Sequence, residues 1–544
     1  MKIIQRRAIS VFLAICIVAG AFSVMGYASN GYANPEIITV SSYDDLNNLN
    51  KNVPVVSVNG LGCSIYKGLL TSESESDYVQ IWAPPTDVIT EVVALHGVEL
   101  AASLITEDYD KLGTVLCEAM LPLFGELACD SNGVPNPDTG IKPSERTVEP
   151  ALGYGYSERY QFEYDWRLDM HTIAAQLDEY INEVLEVNKA DQVALTAMSM
   201  GSCILTTYLY EYYYTNPDYA SRNHISAAVF VAGGMNGIAA CGDPFSGNIN
   251  IDSTSLMRML AELWIKDDTM KVVYYMLELL YSAGLIDSVT DYANKVVDNT
   301  IDKLIDNGVL KTIGTIPGFY ALMSESEYEA CEAYIFNTDE KKAEFSGLLE
   351  KNRYYHDSVQ SVNRNIIERL LDDGIKTAVI AQYGYTMAPI TSDNNRMSDG
   401  VITTAAESFG ATCAEVDGTL GDDYVQAVSC PCGKSHISAD NQIDASTCAF
   451  ADITWFAKNL RHTDSARFFA NLIDLVVYAD EQTNVFTYTE FPQFMVSFDD
   501  ETLEPLTAEN AGPDILPYEQ TTLISKLIEI IEMLINFIMS ITAG

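Results

Sequence analysis

DQVALTAMSMGSCILTTYLYEYY, Asp191 to Tyr213, is the stretch on which the fold turns. The apolar run QVALTA stops at one serine between two methionines and resumes at once in a helical pattern. Strand, small-x-Ser-x-Gly and helix together describe a sharp turn that lifts a serine hydroxyl to the top of a sheet. Such a turn brings the two backbones close together, so small residues flank the serine; Ala197 and Gly201 hold those places. The helix that follows points its free N–H groups and positive dipole end at the reacting centre. Ser199 is therefore the candidate nucleophile.

Working outward, short β-branched runs alternate with helical stretches, which is the pattern of an α/β protein with a mainly parallel sheet. The expected strands are VPVVSV (53–58), YQFEYDW (160–166), QVALTA (192–197), SAAVFVAG (226–233), KTAVIAQYG (376–384) and ATCAEV (411–416). Two long gaps interrupt them. The first, about 84–150, contains the Pro- and Gly-rich CDSNGVPNPDTGIKPSERTVEP; the second, about 240–372, is helical in pattern and rich in tyrosine and methionine. Insertions of this size in an open α/β sheet form lids or caps over its carboxyl edge, where sites on such sheets lie. After Asp474 the pattern changes: NVFTYTEFPQFMVSF reads as one or two strands, and TTLISKLIEIIEMLINFIMSITAG as a terminal apolar helix with a narrow polar stripe. The expected division is a signal peptide (1–33), an α/β domain with lid and cap insertions (34–474), and a terminal β segment with helix (475–544).

A serine hydroxyl needs a base to take its proton and an acid to orient the base. In a fold with this turn the chain order is Ser, then Asp or Glu, then His. Order removes His96, His171 and His224, and His356 precedes the strand that should deliver the acid. Asp399, in the NRMSDGVIT turn after KTAVIAQYG, is the candidate acid, with Asp393 in reserve. Two histidines follow. His436 lies in the loop CGKSHISADNQIDAST, while His462 ends DITWFAKNLRH, which reads as a helix whose C-terminus a histidine often caps. Loop placement favours His436 as base. Backbone N–H groups must hold the developing oxyanion; Met200, next after the nucleophile, and Leu61, in the Gly-rich turn after VPVVSV, are the candidates.

The first 33 residues carry a basic start (MKIIQRR), a long apolar run and small residues at Ala28 and Ala33, the layout of a cleaved signal peptide and hence of a secreted protein; a lipid anchor at Cys16 is the rival. The formal charge of −45 becomes −48 once Lys2, Arg6 and Arg7 leave with that segment, which holds no acids. Such a surface repels nucleic acid and anionic headgroups. Ten cysteines beyond Cys16 in an exported chain point to disulfides, although spacing does not assign the pairs. Cys430, Cys432, His436 and Cys448 lie near one another, but their spacing fits no standard zinc pattern and export favours oxidation, so no metal is expected. The terminal helix is suited to docking on its own body, self-association or contact with a lipid interface.

VNGLG, YDWRLD, AMSMG, VAGGMNG and SDGVI, in that order, resemble the lecithin:cholesterol acyltransferase family, which includes lysosomal phospholipase A2 and bacterial relatives. The resemblance spans about residues 50–460. It implies an α/β-hydrolase fold, the same Ser199, Asp399 and His436, and structural roles for Trp166 and Arg167. The chain departs from the family in Ala197, where the family has glycine, and in a shortened NGLG turn, the segment that should carry the oxyanion donor. The expected function is a secreted serine ester hydrolase or O-acyltransferase acting on lipid-like acyl esters, with no cofactor. An inactive surface binding protein and a secreted serine peptidase on the same fold are the alternatives.

Overall fold

The computed structural model describes residues 53–511, apart from 152–158, 221–222, 265–273, 276, 279, 283, 285, 417, 431, 463–464 and 499–501. The expected signal peptide, Cys16 and the terminal apolar helix lie outside the described residues.

Nine strands form one twisted sheet: β1 (Val55–Val58), β2 (Pro150–Ala151), β3 (Arg159–Phe162), β4 (Val193–Ser199), β5 (Ile225–Gly233), β6 (Lys376–Tyr383), β7 (Thr454–Lys458), β8 (Phe494–Val496) and β9 (Glu504–Pro505). Their spatial order is β9-β8-β7-β6-β5-β4-β1-β3-β2. Every neighbouring pair from β3 to β8 is parallel, and only the edge pieces β2 and β9 run antiparallel. The protein is thus α/β with a mostly parallel sheet, as the alternation of patterns predicts. All seven residues of β4 and all five of β7 are buried. Strands covered on both faces read as continuous apolar runs rather than alternating ones.

That property accounts for one wrong expectation. In DITWFAKNLRH the apolar residues Ile453, Phe456, Ala457 and Leu460 fall at helical spacing, yet Thr454–Lys458 is a strand, paired parallel with β6 on one side and β8 on the other. A short buried run satisfies both periods, and the two open strand edges decide between them. Two further boundaries move. ATCAEV contributes only Thr412–Cys413, paired antiparallel with Ile443–Asp444 outside the main sheet. The main sheet also continues past Asp474, because β8 is the partner of β7.

Helices close the sheet. α3 (Met170–Asn188) is capped by Asp169, whose carboxylate accepts the Thr172 N–H, and buries Ile173, Leu177, Ile181 and Val184 along one stripe. α4 (Met200–Tyr208) starts directly from β4, and α7 (Ser465–Val477) packs on β5 and β6. The two long gaps are largely helical where described. α1 (Thr86–Thr106) and α2 (Tyr109–Phe124), from the first, pack with α5 (Asp287–Asn307) from the second. Lys303 bonds Asp110, and the Tyr292 hydroxyl donates to the Leu104 carbonyl. α6 (Asn363–Asp372) then leads into β6.

Candidate active site

β4 ends at Ser199 with φ 54° and ψ −127°, a left-handed conformation that a serine adopts only when its surroundings hold it there. The restraints are visible. The Gly234 N–H and the Ser202 hydroxyl both donate to the Ser199 carbonyl, at 3.1 and 2.6 Å. A Cβ on Gly201 would stand 2.0 Å from the Val58 carbonyl oxygen, so the start of α4 lies directly against the end of β1. A Cβ on Gly60 would come within 2.7 Å of the Ser199 Cβ. The small-residue pattern around the turn thus has the steric cause assigned to it.

The structure brings Ser199, Asp399 and His462 together. The Nε2 of His462 lies 2.8 Å from Ser199 Oγ, and its Nδ1 lies 2.5 Å from Asp399 Oδ2. The other carboxylate oxygen of Asp399 accepts the N–H groups of Val401 and Ile402 at 2.8 and 2.7 Å, and the Asp399 carbonyl accepts the His462 N–H. All three residues are buried. Burial alone would raise the Asp399 carboxyl; the facing His462 and the hydrogen bonds outweigh it and hold the group below the usual carboxylate range.

His436 is not in this site. It is fully buried elsewhere, with Nδ1 on Gln493 Oε1 at 2.7 Å and its ring against Phe486. The place beside Ser199 is filled by His462 rather than His436 because β7 is a strand: four residues beyond its end, the chain has turned over the carboxyl edge of the sheet and faces Ser199. The reserve acid Asp393 is also outside, on the surface beside Arg396. Met200 begins α4 and Leu61 follows Gly60 in the turn beside Ser199, so both expected oxyanion residues belong to segments that touch the nucleophile.

The expected structural pair behaves as such. The Arg167 guanidinium, fully buried, grips both oxygens of Asp165 and donates to the Thr139 hydroxyl. Tyr164, in the same segment, donates to the carbonyls of Asn59 and Gly60 at 2.8 and 3.0 Å, which fixes the turn beside Ser199. Trp166 packs edge-on to Trp82, and a Cβ on Gly318 would meet its carbonyl at 1.9 Å and Met200 Cε at 3.0 Å. The second long insertion therefore sits over the start of α4.

Glu407 and Gln382 carried no signal in the sequence. Glu407 is fully buried; one oxygen accepts the Gln382 N–H at 2.6 Å, and the carboxyl faces Asp399, to which its protonated form donates. One atom each of Glu407, Asp399 and His462 lie within 4.8 Å of one another. Burial, and then the Asp399 charge, push the Glu407 carboxyl well above its usual range, so it stands as a neutral acid beside an ionised one. Gln382, at the end of β6, also donates its side-chain amide to the Arg461 carbonyl, one residue before the base. Glutamates in short helical patterns are ordinarily solvated, and nothing local marks this one as buried.

Among the described residues, Cys63, Cys117, Cys129, Cys203, Cys241, Cys331, Cys413 and Cys448 stand as separate thiols, while Cys430 and Cys432 are paired in a disulfide, one pair where ten exported cysteines suggested several. No known family and no curated protein matches the chain.

Proposed function

We propose that the protein is an exported serine esterase of the α/β-hydrolase fold, acting on lipid-like acyl esters by hydrolysis or by transfer to an alcohol. The observation that carries this reading is the unbroken hydrogen-bond chain from a strained Ser199 through His462 to a buried Asp399. In the proposed reaction Ser199 Oγ attacks the ester carbonyl while His462 Nε2 takes its proton. The imidazolium is stabilised by Asp399 and then delivers that proton to the leaving alcohol, which leaves an acyl-Ser199. Water or a second alcohol, deprotonated by His462, attacks the acyl carbonyl and regenerates the serine. The amino end of α4, at Met200, and the turn at Leu61 would flank the oxyanion. The triad chemistry calls for no cofactor.

A lipid-like substrate is favoured by the surface of α1. Ile89, Val93, Leu95 and Val98 are exposed on it, Val98 to 78%. The helix is long and apolar enough to cross a membrane, yet most of it lies open on the protein surface, with Val92, Ser103 and Leu104 its buried residues. An apolar helix left open in a segment inserted before the nucleophile strand suits contact with an acyl-chain aggregate.

The reading is tested by intact-mass labelling with a phosphonate ester probe and by peptide mapping, beside Ser199→Ala. A single adduct on Ser199, absent from the variant, is expected, and an acyl-chain-length series with and without an alcohol acceptor then separates hydrolysis from transfer. Folded protein that forms no adduct in the presence of lipid vesicles refutes the reading.

A further inference from the structure

Behind the triad stands a second carboxyl. Asp399 already accepts three N–H groups, from Val401 and Ile402 on one oxygen and from His462 Nδ1 on the other. Glu407 faces the same carboxylate, and both residues are closed off from solvent. Two carboxylates in contact and away from water cannot both be ionised, so the pair holds one proton. The donor count decides where it sits. Three N–H groups favour the charge on Asp399, whereas Glu407 accepts a single backbone N–H, that of Gln382 at 2.6 Å. The proton therefore belongs to Glu407, and its O–H is the fourth donor to Asp399.

Glu407 is fixed in that place from several sides. It ends the short helix Thr404–Glu407, whose first turn is capped by the Thr403 hydroxyl on the Ala406 N–H. The Thr404 hydroxyl donates to the Gln382 carbonyl at 2.8 Å, so this helix and the end of β6 exchange two hydrogen bonds. The Asn236 amide donates to the Ala406 carbonyl at 2.8 Å and ties the helix to the loop after β5. Because Gln382 also holds the Arg461 carbonyl, one residue of β6 clamps both Glu407 and the segment that carries the base. The elements packed on the helix are β5, β6, Met397–Ser398 and Thr412–Cys413. The titratable groups turned toward Glu407 are Asp399, His462 and the Cys413 thiol, while the Tyr383 hydroxyl of β6 is given to Asp440.

We propose that Glu407 is a positioning residue of the triad, which anchors the Asp399 carboxylate toward His462 through the proton the two acids share. The proposal rests on the esterase reading above. When His462 takes the Ser199 proton, Asp399 must stay ionised and in line with the new imidazolium, and the Glu407 O–H holds it there. Glu407 gives up no proton during the cycle. Burial, and then the Asp399 charge, keep that proton in place at neutral pH. Its loss to solvent at alkaline pH puts a second negative charge beside Asp399. The two carboxylates then repel and Asp399 is driven out of line, and a displacement of about 1 Å in such a unit costs about a hundredfold in rate. The added charge also favours the imidazolium form of His462, which cannot act as base.

The test uses the full secreted chain as wild type, Glu407→Gln, Glu407→Ala and Ser199→Ala. Phosphonate labelling of Ser199, and kcat and KM for an ester, are measured from about pH 5 to about pH 10, with folding checked by circular dichroism at each pH. Glu407→Ala removes the fourth donor and should lower kcat about ten- to a hundredfold with KM little changed. Glu407→Gln offers an amide N–H to Asp399 and an oxygen to the Gln382 N–H, so it should restore most of that loss at pH 7. It has no proton to give up, so the alkaline fall expected of wild type below about pH 10 should be absent from it. Infrared spectra at pH 7 should show a protonated-carboxyl band in wild type that Glu407→Gln removes. Superimposable pH profiles of wild type and Glu407→Gln, or a band that survives the substitution, overturn the proposal even while Ser199 labels normally. Wild-type protein that shows the band yet never labels at Ser199 overturns the esterase reading, and the positioning role with it.

Discussion

Replacing His462 with alanine leaves the Ser199 hydroxyl without the ring nitrogen 2.8 Å away and leaves Asp399 without the N–H it holds at 2.5 Å. Nothing then takes the serine proton at neutral pH. Losing the base of such a unit lowers kcat by about 10⁴- to 10⁶-fold, or about 5–8 kcal/mol at 1.36 kcal/mol per decade. His436→Ala is the matched control, because both histidines follow the acid in the chain. Its ring touches Gln493, Cys432 and Phe486 and has no contact with Ser199. Removing it leaves the Gln493 oxygen buried without its donor, which costs about 1–3 kcal/mol of stability. Catalysis should change by no more than about threefold, roughly 0.7 kcal/mol. The assay is the rate of phosphonate labelling and of p-nitrophenyl ester turnover for wild type and both variants, each shown to be folded by circular dichroism. A folded His462→Ala protein that labels at the wild-type rate, or a folded His436→Ala protein that loses a thousandfold, refutes the assignment of the base.

Three more outcomes follow from the geometry. Gly201→Ala places a methyl group 2.0 Å from the Val58 carbonyl, a contact between backbones that no rotamer relieves, so it should cost about 1–3 kcal/mol or more and slow labelling of Ser199; an unchanged melting temperature and labelling rate would contradict the packing. Glu407 favours its protonated form in the folded state, so its stabilising effect is complete below the unfolded carboxylate pKa and is lost as pH rises through the raised folded value. Glu407→Gln, already neutral, should therefore gain melting temperature relative to wild type as pH climbs from 5 to 8, and a constant difference across that range would refute a neutral Glu407. His356, buried between Tyr328 and Tyr355, is pushed down to about 4 by burial. The unfolded chain then binds the extra proton first as pH falls below about 6.5, so stability should drop by up to about 3 kcal/mol between pH 6.5 and 4, and His356→Gln should flatten that slope in thermal melts.

What the sequence determined alone is what depends on neighbours along the chain. The turn at Ser199 is such a case, since a strand, two small residues and a helix start within eleven residues leave one way to fold, and Ser199 takes the strained backbone expected of it. The order of the strands on β1, β3, β4, β5 and β6 follows from apolar runs separated by helices, and Asp399 from its turn after β6. The choice of base was not local. His436 and His462 both satisfy chain order, and the decision rests on whether Thr454–Lys458 is a strand, which the edges of β6 and β8 settle across gaps of 70 and 35 residues. Glu407 is likewise invisible from its neighbours, because its burial beside Asp399 is made by β6 and the acid loop folding together. Local pattern specifies a backbone shape and one reactive atom. Which distant side chains meet that atom is set by strand pairing, a property of the sheet and of no single segment.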